Sequence, residues 1–184
     1  LFSARTLVLD VLAPLLTGIG DEWAEGGLCS ASEHVASALV RDHASQLLRK
    51  LPPDPGAELI VVSTPAGELH ELGAMLAAAT AKLRGFGVLY LGPDLPAAQI
   101  ALAARSSGAG LVALSVLALE VERAVEEIDQ LLAELPKQVE LVLGGPLAGA
   151  IAQRTARKST ALASLADFEA LLAERAARPL RRTR

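Results

Sequence analysis

The sequence predicts an α/β protein in which a helical cap precedes a doubly wound parallel sheet of five strands. Two observations carry this prediction. Residues 1–51 show only helical periodicity, whereas from residue 57 onward short apolar runs alternate with helical stretches. Between the two regions, the run Pro52-Pro53-Asp54-Pro55-Gly56 is typical of a short, stiff linker.

The cap region, residues 1–51, is expected to contain about two helices. Apolar residues from Leu7 to Leu16 form a broad stripe at helical spacing, and Pro14 should kink this helix or mark a restart. Ser30 or Ser32 is expected to cap the next helix with its side chain. Its buried stripe is expected to include Val35, Leu39, Leu47, Leu48 and Leu51.

Strands of the sheet are predicted where apolar runs are short enough to be buried on both faces. These runs are 59–62, 88–91, 111–114 and 139–143, with a weaker fifth at 160–164. The helical stretches between and after them are 71–84, 97–106, 120–135 and 167–176. A Rossmann-like, flavodoxin-like domain is therefore expected at 57–176, followed by a basic tail at 177–184.

In such sheets, ligands bind beyond the carboxyl ends of the strands. The site is therefore sought in the segments 63–73, 92–96, 115–118 and 144–149.

Composition restricts the classes of function. Of the 184 residues 52% are hydrophobic and only 3% aromatic, so the core must be built from Ala, Leu and Val. The net charge of −4 gives no electrostatic footprint for nucleic acid. A single cysteine, no signal peptide and no membrane-length apolar run predict a cytoplasmic protein. Because the chain begins at Leu1, we expect it to be a fragment.

His70 is the main candidate ligand, because it lies between the first predicted strand and the first sheet-domain helix. Glu68 precedes it by two residues, so in an extended loop both side chains can point the same way. A carboxylate bonded to one imidazole nitrogen makes the other nitrogen a better metal ligand. Gly73 allows the helix start to approach a bulky group. A histidine that merely precedes a helix would explain the same residue types.

The strand-end motifs together resemble the cobalamin-binding domain family. Its hallmark Asp-x-His-x-x-Gly corresponds here to Glu68-x-His70-x-x-Gly73. Its Ser-x-Leu after the third strand and Gly-Gly after the fourth correspond to Ser115-Val116-Leu117 and Gly144-Gly145. The resemblance implies that His70 ligates cobalt and that small residues leave a slot for the cofactor's nucleotide tail. The implied cofactor-binding set in this domain is Glu68, Leu69, His70, Glu71, Leu72, Gly73, Ser115, Val116, Leu117, Gly144 and Gly145.

The cap resembles that of the CarH-type light-sensing repressors. Glu33 and His34 follow Trp23 by ten and eleven residues, which is the arrangement of that group. The run from Tyr90 to Pro96 is also similar to it. The resemblance implies adenosylcobalamin, with Trp23 over the adenosyl group, Glu33 on its ribose hydroxyls and His34 beside them. A half-buried core tryptophan and a solvated helix start are the structural alternatives.

This resemblance predicts a light-sensor module with no catalytic residues. Photolysis of the cobalt–carbon bond would change cap packing and the state of a homo-oligomer, and DNA contact would need a domain that this chain lacks. Several such photoreceptors carry a histidine directly after the tryptophan, where this chain has Ala24. The alternatives are the corrinoid shuttle protein of a methyltransferase and a plain cobalamin carrier.

Overall fold

The computed structural model describes residues 2–27 and 29–177. In the cap region the helical elements are α1 (Ala4–Thr6), a π-helical turn (Leu7–Leu12), α2 (Ala13–Ala24) and α3 (Ser30–Lys50). The strands are β1 (Leu59–Ser63), β2 (Gly87–Tyr90), β3 (Leu111–Ser115), β4 (Glu140–Gly144) and β5 (Thr160–Leu162). The remaining helices are α4 (Leu72–Leu83), α5 (Ala97–Ser107), α6 (Val121–Glu134), α7 (Ala148–Ala152) and α8 (Leu165–Ala176).

All five strands are parallel and lie in the order β2-β1-β3-β4-β5. This is the flavodoxin-like order, and it confirms the predicted fold class. After β1 the chain forms β2 on one side of β1 and then crosses back to form β3 on the other side. The loops at the carboxyl ends of β1 and β3 therefore diverge, which forms the crevice in which such sheets bind ligands.

The central strands are buried on both faces because their side chains alternate between two helical layers. Ile60 and Val62 pack with residues of α4 and α8, whereas Val61 packs with residues of α5 and α6. This arrangement explains why the strands appear in the sequence as continuous apolar runs. The sheet thus forms a rigid base for the loops at its carboxyl edge.

The cap packs on the outer face of α4. The apolar residues at this interface are Val8, Leu12, Val40 and Ala44 from the cap and Met75, Leu76 and Ala79 from α4. The Lys82 ammonium donates hydrogen bonds to the carbonyl oxygens of Leu48 (2.6 Å) and Leu51 (2.9 Å) at the end of α3. The cap is therefore joined to the helix that begins directly after the His70 loop.

Two expectations for the cap were wrong. Val35 and Leu39 are exposed, because the face of α3 that meets α4 is formed by Val40 and Ala44 and the other stripe points away from α4. No side-chain cap begins α3, whose N-cap residue is Cys29. Pro14 lies in the first turn of α2, directly after the π-helical turn, and Leu12 before it keeps helical backbone angles, so the helix is locally altered ahead of Pro14 but does not restart there.

In the sheet domain, the predicted strands and helices end within two residues of the observed ones, but the short helix α7 was not predicted. The predicted basic tail at 177–184 lies outside the described residues from position 178 onward. Among the helices that the structure describes, none combines the length and apolarity needed to cross a membrane.

Candidate functional site

Glu68 and His70 form the centre of the candidate site. One carboxylate oxygen of Glu68, Oε1, lies 2.6 Å from His70 Nδ1 and accepts the His70 backbone N–H at 3.0 Å. The other oxygen, Oε2, accepts the backbone N–H groups of Leu117 (2.8 Å), Ala118 (2.7 Å) and Leu119 (3.1 Å). Glu68 therefore joins the loop after β1 to the loop after β3, across the crevice between them.

The environment of Glu68 determines its charge. Its side chain is only 1% exposed, and this burial by itself would raise its pKa. The N–H donors of Ala118, His70 and Leu117 and the imidazole outweigh burial and lower the pKa to about 2. The carboxylate is therefore ionised at neutral pH and can only accept hydrogen bonds.

His70 is consequently held in one tautomer with one nitrogen available. Because Glu68 can only accept, Nδ1 carries the proton that it donates, and neutral imidazole then presents a lone pair on Nε2. The side chain is 57% exposed, and Nε2 has no hydrogen-bond partner among the described residues. A histidine that ligates a metal usually has its other ring nitrogen bonded to such a carboxylate, which fixes the orientation of the ring.

The three predicted motifs meet at the carboxyl edge of the sheet. A Cβ atom on Gly73 would lie 2.7 Å from Ser115 Oγ, so the start of α4 approaches the end of β3 closely. Val116 N–H donates to the Gly144 carbonyl oxygen at 2.9 Å. Gly145 has φ of +102°, and a Cβ there would lie 2.2 Å from the Val116 oxygen. Gly73 and Gly145 are therefore required by close approach, whereas Gly144 has open space beside it.

The residues beside His70 divide between solvent and the cap. Leu69 is 68% exposed. Leu72 packs with the cap residues. The Glu71 carboxylate accepts hydrogen bonds from Arg41 Nε on α3 and from Tyr90 Oη at the end of β2, each at 2.8 Å. Burial and this carboxylate raise the pKa of Tyr90, so its hydroxyl remains a donor at neutral pH.

The loop after β2 contributes residues that were not predicted. Asp94 Oδ1 accepts the Gly67 backbone N–H at 2.7 Å, and the Asp94 N–H donates to Thr64 Oγ1 at 2.9 Å. Ser63 Oγ also donates to the Gly92 carbonyl oxygen at 2.8 Å. The segment 92–96 was expected to contain functional residues, but nothing in the residue types indicated that Asp94 would bond the His70 loop.

The three cap residues predicted to contact the cofactor, Trp23, Glu33 and His34, make no hydrogen bond to this cluster among the described residues. Trp23 lies near the end of α2 with its side chain mostly exposed. Glu33 and His34 lie in the first turn of α3, where Glu33 Oε1 accepts the Ser37 hydroxyl at 2.5 Å. His34 Nδ1 lies 2.8 Å from the Ser30 carbonyl oxygen. Their proposed contacts with a cofactor therefore stay predictions.

Comparison with known proteins gives one family and several relatives. Residues 58–175 match the family model of the B12 binding domain. The chain is 32% identical over 143 residues to the HTH-type transcriptional repressor CarH and 34% identical over 123 residues to the HTH-type transcriptional repressor CarA, both of Myxococcus xanthus. These matches cover 76% and 67% of this chain but 46% and 40% of the repressors, so the chain spans under half the length of either.

The match to CarH extends beyond the B12 binding domain. The matched stretch of 143 residues is longer than the family match at 58–175. Even if it ran to the end of the chain, it would gain only nine residues after residue 175, so it must also include residues before 58. The similarity therefore includes part of the helical region. In fold, the chain is also similar to the monomethylamine corrinoid protein of Methanosarcina barkeri, with a TM-score of 0.66, 18% identity and coverage of 87% of this chain and 79% of that one.

Proposed function

The chain belongs to the B12 binding domain family, and from this premise we propose that it is the cobalamin-binding module of a light sensor. Its lower cobalt ligand would be His70 Nε2, and its upper-face lid would be formed by Trp23, Glu33 and His34. The observation that carries the proposal is the exposed His70 imidazole, held from behind by the buried Glu68 carboxylate. This arrangement presents one oriented nitrogen at the crevice of the sheet.

The residues at the strand ends fit a cofactor of this size and chemistry. Gly144 has only the Leu114 carbonyl oxygen within 4 Å of its Cβ position, at 3.9 Å, so this strand end is open. The side chains of Leu69 and Leu117 are exposed beside His70 and offer apolar surface to the flat corrin ring. Bound adenosylcobalamin would supply a light-sensitive cobalt–carbon bond, and its cleavage would release the adenosyl group.

The cap would recognise the adenosyl group. The Trp23 indole, 60% exposed, offers a flat apolar surface with one N–H donor, and the Glu33 carboxylate can accept two hydroxyl hydrogen bonds. The similarity to CarH, which reaches into the helical region, supports assigning the cap to the same function as the sheet domain. Loss of the adenosyl group would remove these contacts, so the cap would favour a second position and the oligomer would change.

The test is to load the purified chain with adenosylcobalamin and to record its absorption spectrum and molecular mass in the dark and after illumination. We expect light to change both, and we expect the protein loaded with hydroxocobalamin to show neither change. Because position 24 is alanine, the illuminated protein should carry water or a weakly held ligand in place of the adenosyl group and should release cobalamin on dialysis more readily than relatives that have a histidine there.

An unchanged mass in the presence of complete photolysis would instead favour the alternative, a corrinoid shuttle protein of a methyltransferase. A persistent bis-imidazole spectrum would show that a cap histidine reaches the cobalt. His34→Ala would then decide whether that histidine is His34, which lies beside Glu33 at the start of α3.

The lid residues make a separate prediction. Trp23→Ala and Glu33→Ala should weaken binding of adenosylcobalamin more than binding of methyl- or hydroxocobalamin, because only the adenosyl group fills the space beneath the cap. Loss of one such contact should cost roughly 1–3 kcal/mol. Titration with each of the three cofactors measures the difference. Leu102→Ala, which removes an exposed apolar side chain from α5, is the control. Equal losses for all three cofactors would show that the two residues only support the fold.

A further inference from the structure

The loops after β1 and β2 are joined by hydrogen bonds that centre on Asp94. Its carboxylate accepts the Gly67 N–H, and its own N–H is shared between Thr64 Oγ1 at 2.9 Å and the Glu68 carbonyl oxygen at 3.2 Å. The buried Thr64 hydroxyl also donates to the Glu68 carbonyl oxygen, at 2.5 Å. The backbone on both sides of the Glu68 Cα atom is therefore fixed by these contacts.

Asp94 makes these contacts in an unusual backbone conformation. Its φ is +60°, the one positive value at a non-glycine position among the described residues. The left-handed region is disfavoured by a Cβ atom, and aspartate and asparagine tolerate it better than most other residues. In this conformation both the Asp94 N–H and its carboxylate face the loop after β1. The hydrogen bonds to that loop therefore depend on the positive φ of Asp94.

The position of His70 depends on this network. Glu68 is held at its backbone by Asp94 and Thr64 and at its carboxylate by the N–H groups of residues 117–119. His70 is in turn bonded twice to Glu68 Oε1. From this chain of contacts we infer that Asp94 is a positioning residue that holds the His70 loop in its ligand-ready conformation before cobalamin arrives. This inference rests on the proposed role of His70 as the cobalt ligand.

Three substitutions separate the contribution of the Asp94 carboxylate, as a hydrogen-bond acceptor, from that of its positive φ. Asp94→Asn keeps an Oδ1 acceptor and tolerates positive φ, so it should bind hydroxocobalamin with the wild-type affinity and spectrum. Asp94→Gly keeps the backbone conformation but removes the acceptor, and it should lower the affinity about 10-fold and reduce the histidine-ligated fraction. Asp94→Ala removes the acceptor and also disfavours positive φ, so its loss should be at least as large.

A second measurement uses the protein without cofactor. Amide hydrogen exchange at Gly67 should become faster, on the order of 10-fold, in Asp94→Gly and Asp94→Ala and should stay unchanged in Asp94→Asn. Asp129→Ala is the matched control. It removes a carboxylate that accepts a backbone N–H at 2.8 Å, from Ala156, but outside the loops of the candidate site. Neither the cobalamin spectrum nor Gly67 exchange should respond to it.

The outcomes distinguish this inference from the function on which it rests. Wild-type binding and slow Gly67 exchange in Asp94→Gly would overturn the positioning role and leave His70 as the ligand. A wild-type complex without histidine ligation would overturn the proposed function, and Asp94 would then have no role toward cobalt.

Discussion

His70→Ala is expected to abolish the histidine-ligated cobalamin spectrum and to lower cobalamin affinity more than any other single change. Removal of a residue that merely orients a metal ligand costs about 10–100-fold in affinity, so loss of the ligand itself should cost at least that much. The fold should be retained, because the imidazole is more than half exposed and contributes little to the core. Titration with hydroxocobalamin, together with circular dichroism of the cofactor-free protein, measures both effects.

His43→Ala is the matched control for this change. His43 is an exposed histidine on α3 whose Nδ1 lies 2.8 Å from the Leu39 carbonyl oxygen, so its ring is held by a local contact as His70 is. This variant should bind cobalamin as the wild type does. Unchanged affinity and an unchanged cobalt-ligand spectrum in His70→Ala would remove His70 from the ligand position.

Glu68→Gln is expected to have the largest effect on stability. The two oxygens of Glu68 accept five hydrogen bonds, two at Oε1 and three at Oε2. Glutamine has one oxygen, and in either orientation its NH₂ group faces N–H donors in a site closed to water. The free energy of unfolding should fall by about 2–4 kcal/mol. Urea unfolding of the cofactor-free protein measures this, independently of cobalamin.

Glu126→Gln provides the comparison for Glu68→Gln. It makes the same chemical change at an exposed position of α6 and should alter the free energy of unfolding by less than about 0.5 kcal/mol. If Glu68→Gln is equally mild, the loops after β1 and β3 are held together by contacts other than this carboxylate.

Most of the sheet domain could be predicted because its burial is periodic in sequence. Strands buried on both faces appear as short apolar runs, and the helices between them are long enough to show their own period. Helix α7 is only five residues long and shows too little of that period. In the cap, the pair Val35 and Leu39 and the pair Val40 and Ala44 are both spaced four apart. Sequence alone does not tell which of them meets α4.

The candidate site could be predicted where its contacts are local. Glu68 and His70 are two residues apart, so the sequence could predict their pairing from spacing alone. The partners of Glu71 could not be predicted in this way, because Arg41 and Tyr90 are brought to it by the packing of α3 and the order of the strands. The role of Asp94 depends on a positive φ, which residue type permits but does not specify.

His70 and Glu71 are consecutive in the chain, so about 3.8 Å separates their Cα atoms. His70 presents its free nitrogen to the open crevice. Glu71 accepts hydrogen bonds from Arg41 on α3 and from Tyr90 at the end of β2. A single peptide unit therefore separates the candidate ligand from a side chain that is bonded to α3 of the cap. If cobalt binding shifts the backbone at His70, Glu71 and its hydrogen bond to Arg41 would pass that shift to α3 without a rearrangement of the packed interior.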